Sequence, residues 1–274
     1  MPEARLPSVR LDETELHYIE MGTGPSVVLV HGGFADYRLW GSLSSVLSRS
    51  FRVISYSRRG AYPNAPSKGG STVALHSADL SSFISQLLGT RVHLVGESLG
   101  AYVALHCTLH YPEKVRSLTI DEPPILPLLS GSKDDKEDLE DFRSKALNPS
   151  LDLYSAGRPE DAARVIIDYL EGSAGMYDSL PQEAKKSIMV NSRATLEDLK
   201  KGLSGIEPGE LELLKTPTLL LKSTLGPKLL KRVVDRVYDM IPDSQLREIG
   251  GSSHGTIVDS TEYSAAVLEF LRAN

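Results

Sequence analysis

The chain contains a single cysteine, Cys107, among 274 residues. No intramolecular disulfide can form, which fits a reducing, cytoplasmic compartment. Cys107 falls inside an apolar stretch, where a thiol reads as inert packing rather than as a nucleophile. Neither Cys-x-x-Cys nor His-Glu-x-x-His occurs, so no metal and no cofactor is expected. Basic tracts are missing as well. The 30 Lys and Arg are mixed among 36 Asp and Glu, for a net charge of −6, and this argues against a nucleic-acid partner. No apolar run approaches membrane-spanning length, and the opening MPEARLPSVRLDETELHY has no apolar segment of the kind a signal peptide needs. Neither a membrane partner nor export is therefore expected.

The length, with 41% apolar residues, suits one large α/β domain with room for an insertion. Its most informative stretch runs from Arg91 to Pro112, RVHLVGESLGAYVALHCTLHYP. A mostly apolar run, Val92 to Val95, meets Gly96-Glu97-Ser98-Leu99-Gly100, and a long apolar segment follows. The order predicts strand, sharp turn and helix, with Ser98 at the apex of a Gly-x-Ser-x-Gly nucleophile elbow. A strained turn holds the serine hydroxyl clear of the backbone, and small residues two before and two after let strand and helix approach. The helix N-terminus beside the serine favours negative charge. A Gly-rich turn with a capping serine is the plainer reading of the pentapeptide. The surroundings favour the elbow: a β-rich strand precedes it, Leu99, Tyr102, Val103, His106 and His110 recur at helical spacings, and Pro112 stops the helix.

Elsewhere the pattern predicts strands over 9–11, 15–20, 26–30, 51–56, 114–121, 217–222 and 245–249, with helices over 35–50, 73–88, 227–241 and 261–271. Alternating strands and helices joined by short loops mean a mostly parallel sheet covered on both sides. From about 125 to 214 the rhythm changes to helices alone. Apolar stripes there include Leu139, Phe142 and Ala146, then Ala162, Ile166 and Tyr169, then Leu196, Leu199 and Leu203. The acid-rich run Asp134 to Asp141 reads as a solvated helix face or a hinge. The expected division is a core of 1–122 plus 216–274 and a helical lid over 123–215.

His31-Gly32-Gly33, the Gly-x-Ser-x-Gly elbow, a helical insertion and a late histidine, in that order, resemble an α/β-hydrolase with a lid. The likeness covers nearly the whole chain. It implies the α/β-hydrolase fold: a mostly parallel eight-stranded sheet flanked by helices, with the lid inserted.

Serine is a poor nucleophile unless a base takes its proton. The resemblance puts that base on a loop after the last strand, where His254 stands alone within Gly250-Gly251-Ser252-Ser253-His254-Gly255. His17 and His93 fall in strands and His76, His106 and His110 on helices, positions that suit packed or surface roles. The resemblance also implies an oxyanion hole from the N–H groups of Leu99 and Gly33, with Phe34 as the neighbouring candidate, and a loop-holding role for His31. The acid departs from the commonest pattern. No carboxylate follows the seventh strand, where Leu221-Lys222-Ser223-Thr224-Leu225-Gly226-Pro227 stands, and Asp235 lies too far along the next helix. The chain instead resembles zearalenone-type lactonases, whose glutamate follows the sixth strand. Asp121-Glu122 occupies that place. The resemblance and strand alternation favour Glu122, with Asp121 as the alternative.

A second departure is Ser57-Arg58-Arg59-Gly60 after the fourth strand, whose arginines either tie the loop down or favour an anionic or carbonyl-bearing ligand. The resemblance implies a cofactor-free serine hydrolase acting on an ester or lactone of a small, largely apolar molecule. The same catalytic set would also serve cleavage of a C–C bond beside a ketone, or acyl transfer or ring closure in small-molecule biosynthesis. The absent strand-seven aspartate leaves room for a low-turnover ligand receptor. Lid stripes should face the pocket mouth, making Phe142, Tyr169 and Met189 selectivity positions. Oligomeric state stays open, a homodimer included.

Overall fold

Runs of Val, Ile and Leu become strands where both faces can be buried. The computed structural model describes residues 6–67 and 71–274. The first five residues of the opening stretch, and Lys68-Gly69-Gly70 of the loop after the fourth strand, lie outside the described residues. The strands are β1 (Ser8–Arg10), β2 (Glu15–Met21), β3 (Ser26–Val30), β4 (Arg52–Tyr56), β5 (Val92–Glu97), β6 (Val115–Asp121), β7 (Thr218–Ser223) and β8 (Gln245–Ile249). They pair into one sheet in the order β1-β2-β4-β3-β5-β6-β7-β8. β1 and β2 run antiparallel to their neighbours; the rest are parallel. The expected eight-stranded, mostly parallel architecture forms, with β5 running on through Gly96 and Glu97.

Side-chain alternation divides the core in two. Val28 and Val30 of β3, Leu94 of β5 and Leu220 of β7 face one cluster, shared with α2 (Val73–Leu87), α3 (Leu99–His110) and α10 (Lys228–Met240). Val27, Leu29, Val95, Leu219 and Leu221 face the other, shared with α1 (Gly41–Leu47) and α11 (Thr261–Ala273). The helix expected over 35–50 is shorter. Asp36 accepts from the Arg38 N–H at 3.0 Å, and a tight turn at Tyr37–Trp40 precedes α1. From β3 the chain crosses to β4 on one side and returns to β5 on the other. This switch point opens a crevice at the C-terminal ends of β3 and β5, where ligands bind in such sheets.

Between β6 and β7 lies a helical insert: α4 (Lys133–Phe142), a π-helical turn at Arg143–Leu147, α5 (Asn148–Ser155), α6 (Pro159–Leu170), α7 (Met176–Ser179), α8 (Gln182–Lys201) and α9 (Pro208–Leu211). Its acid-rich start is not simply a solvated face. Asp135 is fully buried, completes a capping box with Ser132 and accepts from Arg236 Nη2 at 3.0 Å. Asp138 accepts from Arg232 Nε at 2.7 Å. Acids three and four apart share one helix face, and here that face meets the arginines of α10. No helix among the described residues is long and apolar enough to cross a membrane.

Candidate active site

Ser98 sits between β5 and α3 with φ 51° and ψ −120°, a strained conformation for a residue with a Cβ. Its N–H donates to the Asp121 carbonyl at 3.0 Å, which pins the turn to β6. A Cβ at Gly96 would come within 2.6 Å of the Gly100 carbonyl oxygen, and one at Gly100 would collide with the Val30 carbonyl. Both glycines are required by contact between strand and helix.

His254 occupies the loop after β8, only 5% exposed. Its Nε2 lies 3.1 Å from Ser98 Oγ, and its Nδ1 lies 2.6 Å from Glu122 Oε2. Glu122 leaves β6 with φ 41° and is fully buried. Its other oxygen accepts from the Ser223 N–H at 2.9 Å and from Ser223 Oγ at 2.5 Å. Ser223 ends β7, so the strand that lacks an aspartate supplies two donors to an acid from its neighbour. Burial opposes the Glu122 charge, but His254 and the Ser223 donors outweigh it and hold the carboxyl below its ordinary range. Burial likewise opposes a charged His254, yet Glu122, with help from Glu97 and Asp121, raises it to about 9.

Asp121 takes a different place. It is fully buried, and neither of its oxygens has a well-formed hydrogen bond. Burial first, then the charge of Glu97, pushes its pKa well up. It lies beside Tyr263 of α11 and makes no hydrogen bond to His254.

Gly33 and Leu99 line the cavity beside Ser98. The neighbouring Phe34 N–H already donates to Thr195 Oγ1 of α8 at 2.7 Å, so it is engaged by the insert. His31 is buried, with Nε2 accepting from the Arg58 N–H at 2.9 Å. Burial and the Arg58 charge keep it neutral, its pKa well below the ordinary value. The arginines of that loop are committed internally. Arg58 donates to the His31 and Gly32 carbonyls at 3.0 and 2.9 Å, and Arg59 holds Asp79 with two 2.7 Å bonds.

Over the site is a largely apolar cavity of about 440 Å³, in the range of small-molecule pockets. The insert contributes Phe142, Ile166, Leu170, Met176, Ile188 and Leu199. Tyr169 and Met189 do not line it. Tyr169 instead packs on Phe142, ring centroids 5.3 Å apart. On α8 the cavity face runs through Ala184, Ile188, Thr195 and Leu199, and Met189 falls about 100° off that stripe. Helix α8 is fastened to the core by polar contacts. Asn191 Nδ2 donates to Asp36 at 2.7 Å, and Asp198 Oδ2 lies 2.8 Å from His76 Nε2.

Two acids of the site escaped sequence reasoning. Glu97, immediately before Ser98, places Oε1 3.6 Å from His254 Nε2 and lines the cavity. Its signal was the charged residue within the pentapeptide. Glu171, just after α6, accepts from the Gly255 N–H at 2.7 Å and from Ser253 Oγ at 2.5 Å, gripping the loop on both sides of His254. That pairing leaves no local trace in the sequence. Cys107 is buried, and burial pushes its thiol up to about 12. Among the described residues no group of three or more His, Cys, Asp or Glu is arranged to hold a metal ion.

Known proteins resemble this chain in sequence or in fold. An uncharacterised hydrolase, YraK, of Bacillus subtilis is 26% identical over 164 residues, 58% of this chain and 60% of that protein. Among solved structures, an enol-lactonase from Burkholderia xenovorans superposes with a TM-score of 0.78 at 17% identity, covering 97% of this chain and all of that one. Carboxylesterase CesB (YbfK) from Bacillus subtilis gives 0.76 at 20% identity, over 99% of this chain and 93% of that one. Residues 27–268 match the family described as "Alpha/beta hydrolase family". With that match over most of the chain, and the sheet and elbow that go with it, the chain belongs to the alpha/beta hydrolase family.

Proposed function

We propose that this protein is a serine hydrolase that cleaves an ester or lactone of a small, largely apolar molecule through an acyl-enzyme on Ser98. The observation that carries this reading is the continuous contact from Ser98 Oγ through both nitrogens of His254 to Glu122, at 3.1 and 2.6 Å, beneath the apolar cavity. The enol-lactonase and the carboxylesterase are in keeping with it.

Ser98 Oγ attacks the carbonyl carbon as its proton passes to His254 Nε2. Glu122 fixes the Nδ1–H tautomer and stabilises the imidazolium. The Gly33 and Leu99 N–H groups receive the oxyanion. Collapse expels the alkoxide, which takes the proton from Nε2; in a lactone it stays tethered to the acyl group. Water then attacks the acyl-serine, gives a proton to His254, and releases the carboxylic acid as Ser98 recovers its hydrogen. The helical insert acts as a lid, and its apolar residues select the substrate by shape.

A panel of aryl esters and macrolactones, assayed with the native protein and with Ser98→Ala, tests this. Hydrolysis by the native protein that falls about 10⁴-fold or more in a folded Ser98→Ala variant is the expected result. Comparable turnover by the variant, or none by the native protein across the panel, overturns the reading.

A further inference from the structure

The steps above leave one buried acid of the site unused. Glu97 ends β5 with its side chain lodged against Gly32, where a Cβ would collide with the carboxylate. The residue is 9% exposed, and its Oε1 lies 3.6 Å from His254 Nε2, the nitrogen that must serve Ser98. His254 thus has an acid on each side: Glu122 at Nδ1 and Glu97 toward Nε2.

We propose that Glu97 is a second carboxylate partner of His254, which competes with Ser98 for the proton on Nε2 and so sets the pH at which the hydrolase turns on. This inference rests on Ser98 and His254 being nucleophile and base. When the imidazole is protonated, its Nε2–H faces the neutral Ser98 oxygen at 3.1 Å, and the Glu97 carboxylate lies 3.6 Å away, beyond hydrogen-bond reach but at ion-pair distance. At that separation a carboxylate in a buried site stabilises the imidazolium through its charge. The resulting imidazolium is held between two carboxylates, and it must lose a proton to solvent before it can take one from Ser98.

The other groups facing the pair set the sign. Asp121, from the end of β6, adds to His254 in the same direction as Glu97, and Tyr263 of α11 lies beside it. Burial first, then the Glu122 charge, raises the Glu97 pKa, while His254, a backbone hydrogen bond from Gly32 and Arg58, from the loop after β4, favour its ionised form. Glu171, just after α6, is bound to Ser253 and Gly255 rather than to the ring. A base with a raised pKa is inactive below that pKa and gains activity as pH rises through it. Removing the Glu97 charge takes away one of the groups holding the imidazolium, so the acid limb moves to lower pH.

Glu97→Gln tests this, because the amide keeps the shape and an oxygen toward Gly32. The pH dependence of Ser98 labelling by a fluorophosphonate is measured for both proteins, and the His254 ring is titrated by ¹⁵N NMR. In the variant the labelling limb and the ring pKa should both fall by about one unit or more, raising labelling near neutral pH about tenfold. An unchanged limb and ring pKa, or an upward move, overturns the proposal. Should the glutamine substitution prevent folding, Glu97→Ala is read by the same criteria. Should the native protein resist the fluorophosphonate at every pH, the reading of Ser98 as nucleophile fails. The NMR titration then still decides whether Glu97 holds the His254 proton.

Discussion

Replacing Glu122 by glutamine changes one atom and reverses a hydrogen bond. The Glu122 carboxylate accepts at both oxygens: Oε1 from Ser223 N–H and Oγ–H, Oε2 from His254 Nδ1–H. In the Glu122→Gln variant the amide oxygen stays with the two Ser223 donors, because an NH₂ group there would face the Ser223 N–H. The NH₂ therefore points at His254 Nδ1 and donates to it. That fixes the tautomer protonated at Nε2, which cannot accept the Ser98 proton. The charge that stabilised the imidazolium is lost at the same time. A fall in kcat of about 10⁴-fold is expected, as for the analogous Asp-to-Asn change in other triads, or about 5.5 kcal/mol at the barrier. Asp121→Asn is the matched control. Asp121 is fully buried, burial favours its neutral form, and it makes no hydrogen bond to His254, so the amide should cost less than about tenfold. Steady-state hydrolysis of an activated aryl ester, with melting curves to establish folding, measures both. Activity of Glu122→Gln within tenfold of native, or a larger loss in Asp121→Asn than in Glu122→Gln, would refute the assignment of the acid.

Glu171→Ala removes both bonds that grip the His254 loop, so kcat should drop about tenfold or more with little change in Tm. Glu171→Gln, which can still accept from Gly255 and donate to Ser253, should recover part of the loss, and an unchanged kcat in the alanine variant would deny the loop this anchor. Leu170→Ala, at the cavity wall, should shift the ratio of kcat/KM between short and long acyl esters; equal effects on all substrates would mean the insert does not select. Leu118→Ala, fully buried in β6, should instead destabilise the protein by about 2–5 kcal/mol, read by denaturant unfolding, and leave that ratio unchanged.

The sheet was legible because its strands are short apolar runs separated by turn residues, and a run buried on both faces leaves a strong local pattern. The elbow was legible because contact between strand and helix demands glycine at 96 and 100. The place of His254 beside Ser98 was implied by the resemblance to a lidded α/β-hydrolase; the 156 positions that separate them are bridged by sheet topology, not by local pattern. Helix stripes in the insert marked which residues are apolar but not which groove each stripe fills. Tyr169 went to Phe142 and not to the cavity for that reason. Long-range polar pairs were the least legible. Thr195 reaches the Phe34 N–H across 161 positions, and Glu171 reaches Gly255 across 84. Thr195 within the polar pattern of α8 and Glu171 just after α6 each read, taken alone, as an ordinary polar residue. The acid run 134–141 reads as solvated until α10 presents Arg232 and Arg236 to it.

The most direct measurement is intact-mass spectrometry of the native protein, quenched within the first turnovers of an activated ester. A covalent acyl adduct should accumulate, map to the peptide carrying Ser98, and be absent from Ser98→Ala. Turnover with no adduct on any residue, or an adduct on a residue other than Ser98, would contradict an acyl-enzyme at the elbow.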